Sequence, residues 1–204
     1  AAVVGEMKFP QGLAQEDTSR DLLAFGGVLQ LELTHGRMGF GLESGFATGD
    51  EIASGPYGTP FNEPDDGKFD SNSAKAANKT ISNFVFDRDY HVDLLLYRQV
   101  LGAVTNSTYV KANVLGHLLQ NDELVVGGDL SVLYGHALET KSTPGQANSL
   151  GLETDLRGFV VIPEKFRADL EAGVLVPFSG LSNYATGVDA QISFTVQGRL
   201  TLMF

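Results

Sequence analysis

From Val188 to Phe204 every second residue is apolar or small: Val188, Ala190, Ile192, Phe194, Val196, Gly198, Leu200, Leu202 and Phe204. The positions between them, Asp189, Gln191, Ser193, Thr195, Gln197, Arg199 and Thr201, are polar until Met203. A period of two places successive side chains on opposite faces of an extended strand, which a helix cannot do. The spacing predicts one long strand over 188–204 with a wholly apolar face that something must cover.

The same alternation recurs along the chain. Val3 to Phe9 reads as a short strand ended by Pro10-Gln11-Gly12, and the polar residues from Gln15 to Asp21 read as a loop. Leu23, Phe25, Leu29, Leu31 and Leu33 alternate with polar residues up to His35-Gly36, and Met38, Phe40, Leu42 and Phe46 follow at once, which marks a hairpin. Four further strands are expected over Tyr109–Leu119, 124–138, 150–162 and 166–176, with turns near 121–122 and 163–165 and polar loops at 139–148 and 179–186. That makes about eight strands in one domain spanning 1–204, an all-β antiparallel fold.

Residues 48–82 break the pattern with Gly, Pro, Asp, Asn and Ser, and a connection this long is usually functional or without fixed structure. Phe84 to Leu101 is apolar again, but Leu94-Leu95-Leu96-Tyr97 is continuous, so a strand and a short helix both fit. Strand parity favours treating 48–107 as one excursion. The turns near 35–36, 120–122 and 163–165 then fall at one end and all longer loops at the other, the asymmetry of transmembrane barrels.

Composition excludes several classes. No apolar run approaches the roughly 18 residues of a membrane helix, whereas a barrel spreads its lipid face over alternate positions. The net charge of −11 argues against a nucleic-acid partner. With no cysteine, disulfides and thiol chemistry drop out. A start at Ala1-Ala2-Val3-Val4 is too short an apolar run for a signal peptide, so a mature form or a fragment is expected. An apolar face could cover the core of a soluble carrier barrel or meet lipid. The dominance of Leu, Val and Ala, strands of about 10–17 residues and the terminal Phe204 favour lipid.

The closing stretch, with its terminal Phe204, resembles the last strand of bacterial outer-membrane β-barrels. That resemblance implies recognition by the barrel-assembly machinery through Phe204, although Gly198 stands about one position early for the usual signal. Three other stretches are similar to the porin-like, alginate-export-type outer-membrane proteins of deltaproteobacteria: Val4-Gly5-Glu6-Met7-Lys8-Phe9-Pro10-Gln11-Gly12-Leu13, Leu42-Glu43-Ser44-Gly45-Phe46-Ala47-Thr48-Gly49-Asp50, and Phe84 to Arg98 with Gly102 and Val104-Thr105-Asn106. Glu6 stands where that family typically carries Arg. The resemblance implies a transmembrane β-barrel in the outer membrane of a Gram-negative bacterium, with the excursion at 48–107 extracellular. Such proteins are usually longer, so the C-terminal part of a wider barrel stays open beside a complete small one. Outer-membrane lipid and lipopolysaccharide are the expected surroundings, and a homo-oligomer or larger membrane complex is left open.

The polar face collects the candidate pore-lining residues Glu43, Lys111, Asp129, Glu153, Asp155, Arg157, Arg167, Asp169, Glu171, Asp189 and Arg199. In a wide barrel they would line a hydrated channel whose acidic excess disfavours anions, and in a narrow one they would close into an ion-pair network. Asp65, Asp66, Asp70 and Asn72 offer oxygen ligands for Ca²⁺, but without EF-hand spacing a solvated acidic loop explains them better. An outer-wall hydrolase is disfavoured because Ser131 and His136 fall on opposite faces of one strand, and no enzyme motif, cofactor site or metal box appears. The expected function is passive or weakly selective diffusion of small hydrophilic solutes. The alternatives are a non-transporting barrel acting through its outer loops as anchor, adhesin or assembly partner, and a soluble carrier.

Overall fold

The computed structural model describes residues 1–8, 19–49, 80–184 and 186–203. The chain is all-β: β1 (Ala2–Lys8), β2 (Ser19–His35), β3 (Met38–Ala47), the two-residue β4 (Thr80–Ile81), β5 (Ser107–Gln120), β6 (Val125–Ala137), β7 (Ser149–Ile162), β8 (Phe166–Pro177) and β9 (Ser193–Leu202). Eight of them form one antiparallel meander in the order β1-β2-β3-β5-β6-β7-β8-β9, while β4 adds parallel to the start of β2. Among the described residues no helix is long and apolar enough to cross a membrane, which says nothing about strands.

Short turns lie at one end of this sheet and long connections at the other. Gly36, with φ +59, and Arg37 close the first hairpin, where a left-handed backbone suits glycine. Residues 121–124 and 163–165 make the other two turns at that end. β3 pairs directly with β5, from Met38 opposite Gly116 to Ala47 opposite Ser107, so the chain leaves and returns at one end of neighbouring strands. Phe84 to Leu101, apolar as a strand would be, is therefore not a member of the sheet. It holds a single π-helical turn at Leu96–Val100.

Two expected boundaries are corrected. The closing strand covers Ser193–Leu202 and not 188–204, because its partner β8 supplies its last pairing position at Leu175, opposite Ser193. Val188 instead bridges back to Asn183 within the preceding connection, so alternation continues there without a ladder. β2 starts at Ser19, inside the expected loop from Gln15 to Asp21, because Ser19 to Phe25 pair with β1. Gln15 to Thr18, the acidic loop with Asp65, Asp66, Asp70 and Asn72, and Phe204 lie outside the described residues.

The faces of the sheet are inverted relative to a water-soluble barrel. Leu156 is 58% exposed, Leu170 62% and Phe194 80%, whereas Glu153 is 1% and Ser131 4% exposed. The core is made by the connection before β5: Val92, Leu95, Leu96, Tyr97, Leu101 and Val104 pack with Tyr109, Leu133 and Leu175 of the inner face. That one segment reaches β2 at Gly26 and β8 at Gly173, so the sheet curls around it. Burying each large apolar side chain contributes about 1.5–3 kcal/mol, which favours docking of the segment. Among the described residues, β1 and β9 each pair with one neighbour only, and the sheet stays open between them.

Candidate functional site

The concave face is organised in rows, because strand register places inward positions of successive strands opposite one another. Gln30, Glu43, Lys111, Leu133, Glu153, Leu175 and Ser193 form one such row, toward the long connections. Asn113, Ser131, Asp155, Gly173 and Thr195 come next, followed by Leu115, Asp129, Arg157, Glu171 and Gln197. Toward the short turns follow His117, Gly127, Phe159, Asp169 and Arg199, and then Val125, Val161, Arg167 and Thr201.

Three of the expected pore-lining residues are taken up by the inserted segment. Glu153 Oε1 accepts the backbone N–H groups of Leu94 and Leu95 at 2.9 and 2.7 Å, and Oε2 accepts that of Leu96 at 2.6 Å. Asp93, not among the candidate pore-lining residues, accepts the N–H of Tyr97 and of Arg98. Gln99 and Val100 then donate to the Leu95 carbonyl and Leu101 to that of Leu96. Every backbone N–H from 94 to 101 thus has a partner, which is what lets an isolated helical turn sit buried. Lys111 Nζ donates to the Val92 carbonyl, and Glu43 accepts from Tyr90, Tyr109 and Gln30.

Burial pushes the Asp93 carboxyl up to about 7, with the neighbouring Glu153 adding to the effect and its own backbone hydrogen bonds opposing it. Burial likewise raises Tyr97, which the Ser107 hydroxyl partly offsets, so both groups favour their neutral forms.

Asp155 lies beside the segment near Leu94, both bordering Gly173, and the charges of the further rows sit toward the short turns. Arg157 lies opposite Asp129 on one side and Glu171 on the other, and Asp169 lies opposite Arg199. Arg167 grips Asp169 through Nε and Nη2 at 2.7 and 2.6 Å. The guanidinium carbons of Arg157 and Arg167 each lie 5.7 Å from the centre of the Phe159 ring, a cation–π arrangement. Asp129 accepts from Asn113 at 3.1 Å. Asp189, expected on the lumen face, is exposed in the connection before β9, outside these rows, because the strand does not extend back to it.

Asp93 was legible in principle. An Asp directly before Leu94-Leu95-Leu96-Tyr97 is a helix-start signal, and it favours the helical of the two readings left open for that run. Ser131 is buried on the inner face while His136 contacts Tyr134 on the outer one, so no Ser–His pair forms. Among the described residues no group of three or more His, Asp or Glu side chains is placed to hold a metal ion. No protein-family model, curated protein or solved structure matches the chain.

Proposed function

We propose that the chain forms the wall of an outer-membrane, porin-like β-barrel channel for small hydrophilic solutes, with residues 84–106 as an internal constriction. The observation that carries this reading is the inversion of the sheet: Leu, Val and Phe side chains cover its outer face, and carboxylates, guanidiniums and a lysine occupy its inner one. In water that arrangement exposes what should be buried. In a bilayer it is what a spanning strand requires.

Curvature supports a wide bore. An eight-stranded barrel has room inside only for side chains, yet here the concave face holds a whole backbone segment with a helical turn. The free edges of β1 and β9 fit closure by further strands, from another copy or other polypeptide, since an unpaired edge is not tolerated in lipid. In this orientation the short turns face the periplasm and the long connections the outside. The second reading, a non-transporting barrel acting as anchor or assembly partner, draws on the same segment, because its fully buried side chains fill that end of the inner face.

Single-channel recording of the refolded protein in a planar bilayer, under a KCl gradient, tests the proposal. Discrete open steps with a cation preference are expected from the acidic excess of −11. Verified insertion without any conductance would discard the channel and leave the non-transporting reading.

A further inference from the structure

The inserted segment is held by an unusual arrangement of charge. Asp93 and Glu153 are 5% and 1% exposed, and together their carboxylates accept the backbone N–H groups of residues 94–98. Asp155, on the same face of β7, buries Oδ1 without a hydrogen-bond partner among the described residues. Against these three acids the inner face brings the Lys111 ammonium from β5, two strands away, which is already engaged by the Val92 carbonyl. β6 and β8 contribute Ser131, Leu133, Gly173 and Leu175 at the facing positions, none of them charged. On the β3 side Glu43 is occupied by Tyr90 and Tyr109, and Arg157 stands a row away between Asp129 and Glu171.

We propose that Asp93, Glu153 and Asp155 form a proton-operated latch that keeps residues 94–101 docked in mildly acidic conditions and releases them as Asp93 ionises. The inference rests on the channel reading above for its consequence, an opening of the bore, but the latch itself is a property of docking. With three carboxyls against one ammonium, docking is favoured when Asp93 carries a proton. Asp93, held up near 7 when docked, returns toward the ordinary carboxylate range once released into water. The docked form then binds more protons between roughly pH 4 and 7, so docking weakens across that window and levels off above it. One such group changes the docking equilibrium by up to about tenfold per pH unit.

Hydrogen–deuterium exchange of the refolded protein in lipid nanodiscs, corrected for intrinsic exchange rates, reads the latch directly at pH 4.5 and 7.5, alongside bilayer conductance at the same values. The expected result is loss of protection over 94–101 at the higher pH and a rise in conductance. Asp93→Asn, which still accepts an N–H but cannot ionise, should keep the segment protected at both. Glu153→Gln, which presents an amide N–H₂ to backbone donors, should leave it exposed at both. Equal protection of the wild-type segment at the two pH values, or an unchanged pH response in Asp93→Asn, overturns the latch. Protection that falls with pH in a protein that never conducts, Glu153→Gln included, keeps the latch and overturns the channel.

Discussion

Tyr90 and Glu43 are joined across the concave face, the phenol hydroxyl donating to Oε1 at 2.9 Å from a residue 47 positions away in the chain. The same carboxylate accepts from Tyr109 and from Gln30 Nε2, so one side chain of β3 gathers β2, β5 and the inserted segment. Burial first, and then the Glu43 carboxylate, push the Tyr90 hydroxyl up, which keeps it a donor at neutral pH.

Tyr90→Phe removes one donor from a carboxylate that keeps two others, so it should cost about 1 kcal/mol of docking stability. Combining it with Tyr109→Phe should cost more than the sum, because the pair shares Glu43. Urea titrations of the four proteins of this cycle, with exchange over 84–106 as the probe, give the coupling. Strict additivity would show that the two hydroxyls act independently.

Glycines on the inner face make room for the segment. A β-carbon at Gly135 would lie 2.7 Å from Leu96 Cδ2 and 2.9 Å from the Tyr97 hydroxyl, and both of those side chains are fully buried. Gly135→Ala should therefore cost about 1–3 kcal/mol, taken by displacing the segment. Limited trypsin digestion checks this, with faster cleavage after Arg98 in the variant while the strands stay resistant. Gly158, with nothing within 4 Å of its added β-carbon, serves as the control position.

On the outer face, Leu156→Lys separates lipid contact from water contact. In a bilayer a lysine on a strand's lipid face costs up to about 2–4 kcal/mol, falling toward zero near the interfaces. Folding into lipid vesicles, followed by heat-modifiable gel mobility across a urea series, should shift to lower urea. A variant that folds as well as wild type and gains solubility without detergent would favour the carrier reading.

Arg167→Gln breaks the two-pronged contact with Asp169. Because Arg167 is 39% exposed, the stability change should stay below about 1 kcal/mol. Ion selectivity should respond more, since the variant removes the guanidinium that grips Asp169. A reversal potential moved further toward cation preference, in the same KCl gradient, is the expected outcome.

Much of the sheet was legible because a two-residue period is a local signal that each strand carries by itself. The strands expected at 150–162 and 166–176 appear as Ser149–Ile162 and Phe166–Pro177. Local signals failed where a partner sets the limit. Val188 to Ile192 alternate as well as Phe194 to Leu202, yet only the latter stretch has β8 beside it. Arg157 lies between carboxylates, as alternation and strand order suggested, because register alone places Asp129 and Glu171 beside it. The latch was not legible in that way, since it joins Asp93 to Glu153 over 60 positions through a segment with no period of its own.

The sequence by itself determined the alternation, and with it an all-β chain with one apolar and one polar face, short turns at one end and long connections at the other. These follow from the geometry of extended backbone and from turn chemistry, which act over a few residues. Only the tertiary structure decided that Glu43, Lys111 and Glu153 hold an inserted segment while Arg167 grips Asp169 and stacks, with Arg157, on Phe159. That division depends on how far the segment reaches into the concave face, and its depth is set by burial of Leu96 and Tyr97 and by buried N–H groups that required acceptors.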